Sequence, residues 1–560
     1  MAQTKGILHG IRVVDLTRML SGPYCTMMLS DHGAEVIKIE SGGGDSSRQN
    51  GPFRADDPDQ DWAGYFVSLN RSKKSVCLDL KTPEGKAKFR NLVKTADVLV
   101  ENFRPGVMER LDLSFESLAE INPRLVYAAI RGFGDPRSGE SPYSDWPSYD
   151  VVAQAMGGIM SLTGQDADSF TKVGPGVGDI FSGMVMAFGI MAALRHAEAT
   201  GSGQFVDLAM YDAVLSLCER AVYLKDFSGA VPSPEGNNHP FLAPFGLFKA
   251  KDGAIAIGIV EDKFWQILAA AMEQENLASD PNFATRAARA KNKAEVNSLV
   301  ETWSKKHTKA ELSTMLGGKI PFGPLNSVKD IFADPHVAKR NMLVQVPNPD
   351  HQKAPWTVAA NPLRFSASKS PMPASPPRLG EHSAEYINPD PPKKAPTFNP
   401  AALRSAFGKF ATGITIITTC QSDGTPRGIT ANSFTSVSLD PPMLLICIAK
   451  SAFSKGVFSE CEHFVVNILS DAQKDLSMLF ATKSAEKFEQ ADYEKSINAM
   501  PVLKGTLANF ICQRRKSVDA GDHLVIFGEV IDFRSRTGSP LLYFGGEYCS
   551  IDHGATDEGR

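Results

Sequence analysis

SVCLDLKTPEGKAKFRNLVKTADVLVENF, Ser75–Phe103, decides the fold of the first part of the chain. It opens on an apolar, β-branched run, SVCLDL, and closes on another, DVLVENF. Between them TPEGKAKFRNLVKTA reads as a helix: Thr82 brings the hydroxyl an N-cap needs, and Pro83 suits the first helical position, where its missing N–H is not required. Strand, capped helix and strand make a βαβ unit, which implies a right-handed crossover and a parallel sheet. Runs of the same kind at RVVDLT, AEVIKIE and LVYAAIRGF extend the sheet on either side. A helical stretch around Glu261–Ser313 predicts a smaller subdomain at about 216–324, and the chain then returns to the large α/β part, about 1–215 and 325–390.

The chain has 560 residues, too many for one domain at the usual ~100–200 residues each. Lys and Arg number 59 against 63 Asp and Glu, so the charge of −4 gives no reason to expect a general nucleic-acid or anionic-membrane footprint, leaving only local basic patches. Eight cysteines are scattered without CxxC or metal-ligand spacing; they read as free thiols, and no metal site is expected. The N-terminal MAQTKGILHGIRVVDL lacks a basic stretch followed by an apolar one, and the longest apolar run, Met184–Leu194, is too short to span a bilayer. A cytoplasmic protein with no membrane partner is expected.

Ten of the 36 prolines fall between Pro362 and Pro400, a density that allows neither a helix interior nor a central strand. The boundary is therefore placed near Lys394, with a linker at 391–397 between a unit at 1–390 and one at 398–560. The second unit changes character. GITIITT, GITANSFTSVSL, MLLICI, HFVVNIL, HLVIFGEVIDF and PLLYFG are short strand candidates, SDG at Ser422–Gly424 is a hairpin turn, and SDAQKDLSMLFATK is a helix capped by Ser470 or Asp471. That pattern predicts a small, mostly antiparallel barrel.

Asp179 follows a glycine-rich turn in GPGVGDIFSG, at the start of a helix running to about His196. Two readings compete: a helix N-cap, or a nucleophilic carboxylate beside helix-start N–H donors. Spacing alone leaves both open. The wider context is more specific. VVDLTRMLSGPYCTMMLSDHGAEVIKIE, LNRSKKSVCLDLKTPEGK, ENFRPGVMERL, GVGDIFSG, GSGQFVDLAM and PPRLGEHSAEY, in this order across residues 6–388, closely resemble the class III coenzyme A transferases, the formyl-CoA and carnitine-CoA type. The resemblance implies a Rossmann-like large domain with a small α/β subdomain, an interlocked homodimer, and Asp179 as the residue that forms an aspartyl anhydride and then a thioester with coenzyme A. It implies coenzyme A contacts at Asn102 and Phe103, with Arg110, Arg71, Lys73, Lys74 and Arg18 as further candidates. Arg18 and Leu20 replace a histidine and a glutamine of the formyl-CoA branch, and GNNHPFLAPFG at 236–246 replaces its glycine run, which points away from formate and oxalate. The α-methylacyl-CoA racemases of the same family pair their aspartate with a histidine; here that position is Tyr149, followed by Asp150. A phenol with a reference pKa near ~10 suits two-base exchange poorly. Transfer of coenzyme A between an acyl-CoA and a carboxylic acid is the favoured reading, and racemisation the alternative.

FNPAALRSAFGKFATGITIITT, DGTPRGITANSFTSVSLDPPMLLICI, FVVNILSDAQKDLSMLFA, AGDHLVIFGEV and PLLYFGGEY resemble, again in order, the flavin reductase-like FMN-binding split barrels. That resemblance implies FMN or FAD as cofactor, NADH or NADPH as reductant, and a flavin-dependent monooxygenase as a partner. Thr430, Ala431, Asn432 and Ser433 are candidates for the flavin ring edge, and Lys450, Ser451 and Ser454 for its phosphate. Phe544 is an aromatic candidate near the flavin, and His523 and Tyr548 lie on the expected nicotinamide side. The alternative is a flavin-binding module without turnover.

Overall fold

The computed structural model describes residues 5–387, 399–484 and 486–551. The chain divides into two compact units, Met1–Pro391 and Pro392–Arg560. The joint expected at 391–397 lies outside the described residues.

In the first unit β1 (Arg12–Asp15), β2 (Glu35–Glu40), β3 (Lys74–Cys77), β4 (Val98–Glu101), β5 (Val126–Arg131) and β6 (Phe205–Ala209) form one sheet in the order β3-β2-β1-β4-β5-β6. Every pairing in it is parallel. The sequence reading finds five of these strands. It passes over β6, whose short apolar run is broken by Asp207. The strand order reverses between β1 and β4, and such a reversal leaves a crevice at the carboxyl ends of the strands.

Helices cover both faces: α1 (Ser21–Asp31), α2 (Gly64–Asn70), α3 (Pro83–Val93), α4 (Val107–Arg110), α5 (Phe115–Ile121), α6 (Asp150–Met156), α7 (Val177–Thr200), α8 (Met210–Leu217) and α9 (Glu219–Ser228). Thr82 caps α3 as expected, its hydroxyl accepting from the Gly85 N–H at 3.1 Å with Pro83 at the helix start. Phe89 and Val93 of α3 pack with Leu99 and Tyr127 on one face, while Cys25, Leu29, Met186 and Ile190 of α1 and α7 pack with Val98 and Val126 on the other. α7 extends well beyond the apolar run Met184–Leu194 and is long and apolar enough to cross a membrane by length and composition. Here Met186, Ile190 and Ala193 lie in the sheet's core, and Met184, Phe188 and Met191 face outward. Gly183 brings α7 against the start of α1: a Cβ there would sit 2.6 Å from the Ser21 carbonyl oxygen.

Two cations expected to meet a ligand, one lysine and one arginine, are interior instead. Lys73 is fully buried, with Nζ 3.1 Å from Asp15 and bonded to Pro23 O, Thr26 Oγ1 and Asn70 Oδ1. Arg71 is also buried, forked onto Asp31 at 2.7 and 2.9 Å with a third bond to Ser68 O. The Lys73 ammonium is fully engaged, Arg71 is tied to Asp31, and neither lines the hollows beside Asp179, which corrects both assignments. Burial pulls Lys73 down to about 8, with Asp15 opposing.

A second sheet, β7 (Phe245–Ala250), β8 (Gly253–Gly258) and β9 (Phe322–Pro324), is antiparallel and carries α10 (Asp262–Ala271), α11 (Arg286–Lys291), α12 (Lys293–Ser304) and α13 (Lys309–Leu316) between its last two strands. Its core is built on Trp265, Ile255, Val300 and Leu312. The chain then returns to the large sheet. Trp356 packs on Trp62 at 5.4 Å, and residues 380–383 bond along the outer edge of β3, with His382 N–H on Ser75 O and Cys77 N–H on Ser383 Oγ. A sheet edge covered in this way cannot pair with another chain.

The second unit is antiparallel throughout its recorded pairings. Seven strands run in the spatial order Pro426–Ala431, Thr415–Cys420, His463–Ile468, Ala508–Ala520, His523–Ser535, Pro442–Ala449, Thr435–Leu439. Strand Ala508–Ala520, at the centre, escapes the sequence reading because Arg514, Arg515 and Lys516 interrupt its apolar alternation. The SDG turn joins the first two strands with Gly424 at φ +82°, and Ser470 heads its helix in a reciprocal cap with Gln473. The two outermost strands, Pro426–Ala431 and Thr435–Leu439, are joined by Asn432–Phe434 alone. Seven strands laid flat span about 29 Å between edges, and a joint this short reaches about 14 Å. The sheet is therefore curled, with those three residues crossing its seam.

Removing one partner of a buried ion pair strands the other. Lys73→Met is expected to cost about 3–5 kcal/mol, read as a lower urea midpoint for the first unit, while Lys88→Met, at the exposed pair with Glu84, shifts it by less than about 1 kcal/mol.

Candidate active site

α7 starts at the carboxyl end of the sheet, and its first turn carries Asp179. The cap of this helix comes from elsewhere: the Gly178 N–H donates to Asp150 Oδ1 at 2.8 Å. Asp179 is thus not the N-cap. A Cβ on Gly178 would meet that same oxygen at 3.1 Å and Ala153 Cβ at 3.2 Å, so glycine permits α6 and α7 to approach.

The Asp179 side chain is half-buried in a cleft of about 350 Å³. Arg18 and Met19 follow β1, Asn102 and Phe103 follow β4, and Arg131 and Gly132 end β5; all line it, together with Ser21, Tyr65, Trp146 and Tyr149. The cleft therefore occupies the crevice where the strand order reverses. Burial and the charge of Asp150 push the Asp179 carboxyl up to about 6, and the hydroxyl and backbone of Ser21 oppose that rise. At neutral pH the group is an anion with little water around it, a state that favours nucleophilic attack.

Tyr149 stands at the cleft mouth, 66% exposed. Asp150 is turned away to its capping role, with Oδ2 accepting from Gln154 Nε2 at 2.8 Å. It acts on Asp179 through charge, and both its oxygens are bonded. Tyr65, at the start of α2, is a cleft residue that sequence reasoning missed; burial and then the Asp179 charge raise its phenol to about 12, so it is a neutral donor. No spacing rule connects α2 with α7; only the fold does.

Asn102 also takes a different part from the one expected. Its amide brackets the Arg18 backbone, Oδ1 accepting from N–H at 2.9 Å and Nδ2 donating to O at 2.8 Å. Phe103 has its N–H bonded to Glu101 at 2.6 Å and its ring 5.6 Å from the Arg18 guanidinium. Arg18 and Phe103 form a wall shared with a second hollow of about 390 Å³, lined also by Ile39, Leu78, Leu80, Lys81 and Arg110. Apolar walls with two cations at the rim suit a planar base carrying phosphates. Arg110 lies where the sequence places it; Lys81, at the end of the SVCLDLK run, was missed. Lys74 lies at the opposite end of β3, where its charge acts on Glu35 and His382, which removes it from the hollow.

In the second unit Asn432 is exposed at the seam. Ser433 Oγ staples that seam, donating to Cys447 O at 3.0 Å and accepting from Cys447 N–H at 3.2 Å. Thr430 Oγ1 donates to Ser477 O, and Ala431 O accepts from Thr415, so these two contribute shape more than free donors. Ala449 lies opposite His523, which brings Lys450, Ser451 and the histidine to one end of adjacent strands. Lys450 pairs with Asp519 at 3.0 Å, Ser451 is exposed and Ser454 buried. A flavin fits this set: the exposed Asn432 amide suits a ring edge, and Lys450 and Ser451 suit a phosphate. Phe544 is half exposed, whereas Tyr548 bonds Ser477 at 3.0 Å and packs on Tyr543, on the side of Thr430 and away from the partners of His523.

A half-buried carboxylate lies at the switch point of a parallel sheet, with an apolar and cationic hollow beside it. The chain belongs to CoA-transferase family III, whose pattern matches residues 8–383, and it carries a flavin reductase like domain at residues 407–552. It is 44% identical over 384 residues to a succinyl-CoA:mesaconate CoA-transferase of Haloarcula hispanica, covering 68% of this chain and 96% of that protein. A formyl-CoA:oxalate CoA-transferase of Streptomyces avermitilis is 38% identical over 395 residues, 68% of this chain and 94% of its own. Among solved structures, a CAIB/BAIF family protein from Brucella suis superposes with a TM-score of 0.61 at 36% identity, covering 68% of this chain and 98% of that one. The first unit is accordingly a CoA-transferase working between an acyl-CoA and a carboxylic acid.

Because the folded-state pKa of Asp179 is raised, its ionisation opposes folding: that penalty is absent below about pH 4 and complete once pH exceeds about 6. Asp179→Asn is expected to raise the thermal midpoint at pH 7 and to lose that advantage at pH 4. Asp150→Asn, which removes a charge while keeping an acceptor for Gly178, is expected to move the acid limb of kcat/KM to lower pH, read from a pH–rate profile.

Proposed function

We propose that Asp179 is the covalent nucleophile of coenzyme A transfer. Its carboxylate attacks the thioester carbonyl of the donor acyl-CoA, and the C–S bond breaks to release coenzyme A thiolate and a mixed anhydride. The thiolate attacks the aspartyl carbonyl, the donor acid leaves as its carboxylate, and an aspartyl thioester remains. The acceptor carboxylate attacks that thioester to form a second mixed anhydride, and the expelled thiolate then attacks the acceptor's acyl carbon, giving the new acyl-CoA and restoring Asp179. A thioester and an anhydride lie close enough in free energy for no ATP to be needed; the protein supplies positioning and exclusion of water. The observation that carries this reading is an uncapped, poorly hydrated carboxylate at about 6 facing the cleft. Tyr149 in place of a basic partner disfavours two-base racemisation.

The acids exchanged are short dicarboxylates. One relative is named for succinyl-CoA with mesaconate, and Arg18 and Arg104 line the cleft where a second carboxylate would lie. The working form is a homodimer, supported by the outward apolar side chains Met184, Phe188, Tyr223 and Phe227 on α7 and α9. The second unit is a flavin-binding split barrel that reduces flavin with NADH or NADPH. Asn432, Lys450 and Ser451 would hold a flavin, which would supply hydride-accepting chemistry there, and His523 would face the nicotinamide.

Hydroxylamine added with succinyl-CoA is expected to label Asp179, located by peptide mass. Asp179→Ala is expected to lower transfer by at least about 10³-fold with NADH oxidation unchanged. Residues 392–560 expressed alone are expected to bind FMN and oxidise NADH; flavin binding without turnover would favour the non-catalytic reading. Light scattering is expected to give the mass of two chains.

A further inference from the structure

The turn between β1 and α1, Leu16–Leu20, is fixed by side chains from three other segments. Thr17 N–H donates to Asp15 Oδ1 at 2.9 Å, and Thr17 O accepts from Lys38 Nζ at 2.7 Å. Both backbone groups of Arg18 are taken by the Asn102 amide. Met19, held at φ +65°, directs its N–H to Asp45 Oδ1 at 3.4 Å. A methionine in the left-handed region is strained and persists only where its surroundings over-determine it. Lys38 is central here. It has no exposed surface, comes from β2, and ion-pairs with the equally buried Asp45 at 2.9 Å, so it reaches the turn directly through Thr17 and indirectly through Met19. The turn delivers Ser21, which lines the same cleft as Asp179 at the helix start that Gly183 of α7 abuts, and its hydroxyl and backbone favour the charged form of that carboxyl.

We propose that Lys38 is a positioning residue for coenzyme A transfer, fixing the β1–α1 turn through Thr17 and Asp45 so that Ser21 meets the Asp179 carboxylate. The inference rests on the reading of Asp179 as nucleophile. Lys38 does not touch the cleft and is not among the groups whose charge acts on Asp179. The ionisable groups that do surround that carboxylate are Asp150 from α6, Tyr149 before it, Tyr65 from α2, and Arg18, Arg104 and Arg131 along the cleft.

The test is a double-mutant cycle on the full chain with Lys38→Met and Ser21→Ala. If Lys38 acts through Ser21, Lys38→Met lowers kcat by about 10–100-fold in the wild-type background, and by less than about three-fold when Ser21→Ala is already present. The acid limb of kcat/KM moves to higher pH in both single variants, because each loses a contact that favours the anion. Additive losses, or a limb that stays in place in Lys38→Met, overturn the proposal. Should Lys38→Met fail to fold, Asp45→Asn, which keeps an acceptor for Ser47 and Met19 while removing the charge facing Lys38, enters the same cycle with the same two criteria. Hydroxylamine labelling of Asp179 in the wild type separates the two levels. No label there refutes the nucleophile itself; a label with an additive cycle refutes only the role of Lys38.

Discussion

The active site depends on how closely two helix starts can approach. α1 starts at Ser21 and α7 at Val177, and the two starts close on one cleft, lined by both Ser21 and Asp179, because Gly183 has no side chain to hold the helices apart. Gly22 against Thr17 and Gly178 against Asp150 repeat the same condition on either side. Three missing side chains therefore set the depth of the cleft, and that depth strips water from the carboxylate. Had α7 been held one methyl group farther out, Asp179 would be a hydrated surface acid near its ordinary value.

The closeness has an electrostatic counterpart beneath it. Asp15, Lys38, Asp45 and Lys73 form alternating charges with no exposure to solvent or almost none, tied down by Thr17, Thr26 and Asn70. Burial alone would raise Asp15; Lys73 and then Lys38 outweigh it and hold the carboxyl below its usual range. Such a cluster contributes little net stability compared with an apolar core. It does fix geometry, because each group is satisfied in one arrangement of the turn.

Much of this was legible in the chain before folding. The βαβ rhythm, the Thr82 cap, the SDG turn and the aspartate after its glycine turn all depend on neighbours within a few residues, and local pattern reports local structure. What escaped depends on distant partners. Arg71 and Lys73 look like surface cations within RSKK until Asp31 and Asp15 are folded against them. Asn102 looks like a ligand contact until the Arg18 backbone lies across it. Tyr65 has no local signal at all, and the central strand Ala508–Ala520 hides its apolar alternation under three cations on its outer half. Position along the chain says which residue types are available; which of them face each other is a property of the strand order.

The curled sheet of the second unit sets the sequence of its own assembly. Pro442–Ala449 finds its neighbour in His523–Ser535, and His463–Ile468 finds one in Ala508–Ala520. A ribosome thus extrudes most of the sheet before either long strand exists, and His463–Ile468, already beside the hairpin Thr415–Ala431, waits with its other flank unpaired. Pairings this far apart along the chain fold slowly, and an open flank is a template for the wrong partner. The last hairpin of this sheet to emerge, Ala508–Ser535, is the one that zips both halves together. A stop codon or a pause ahead of it leaves a sticky intermediate, with the finished transferase half already tethered to its front.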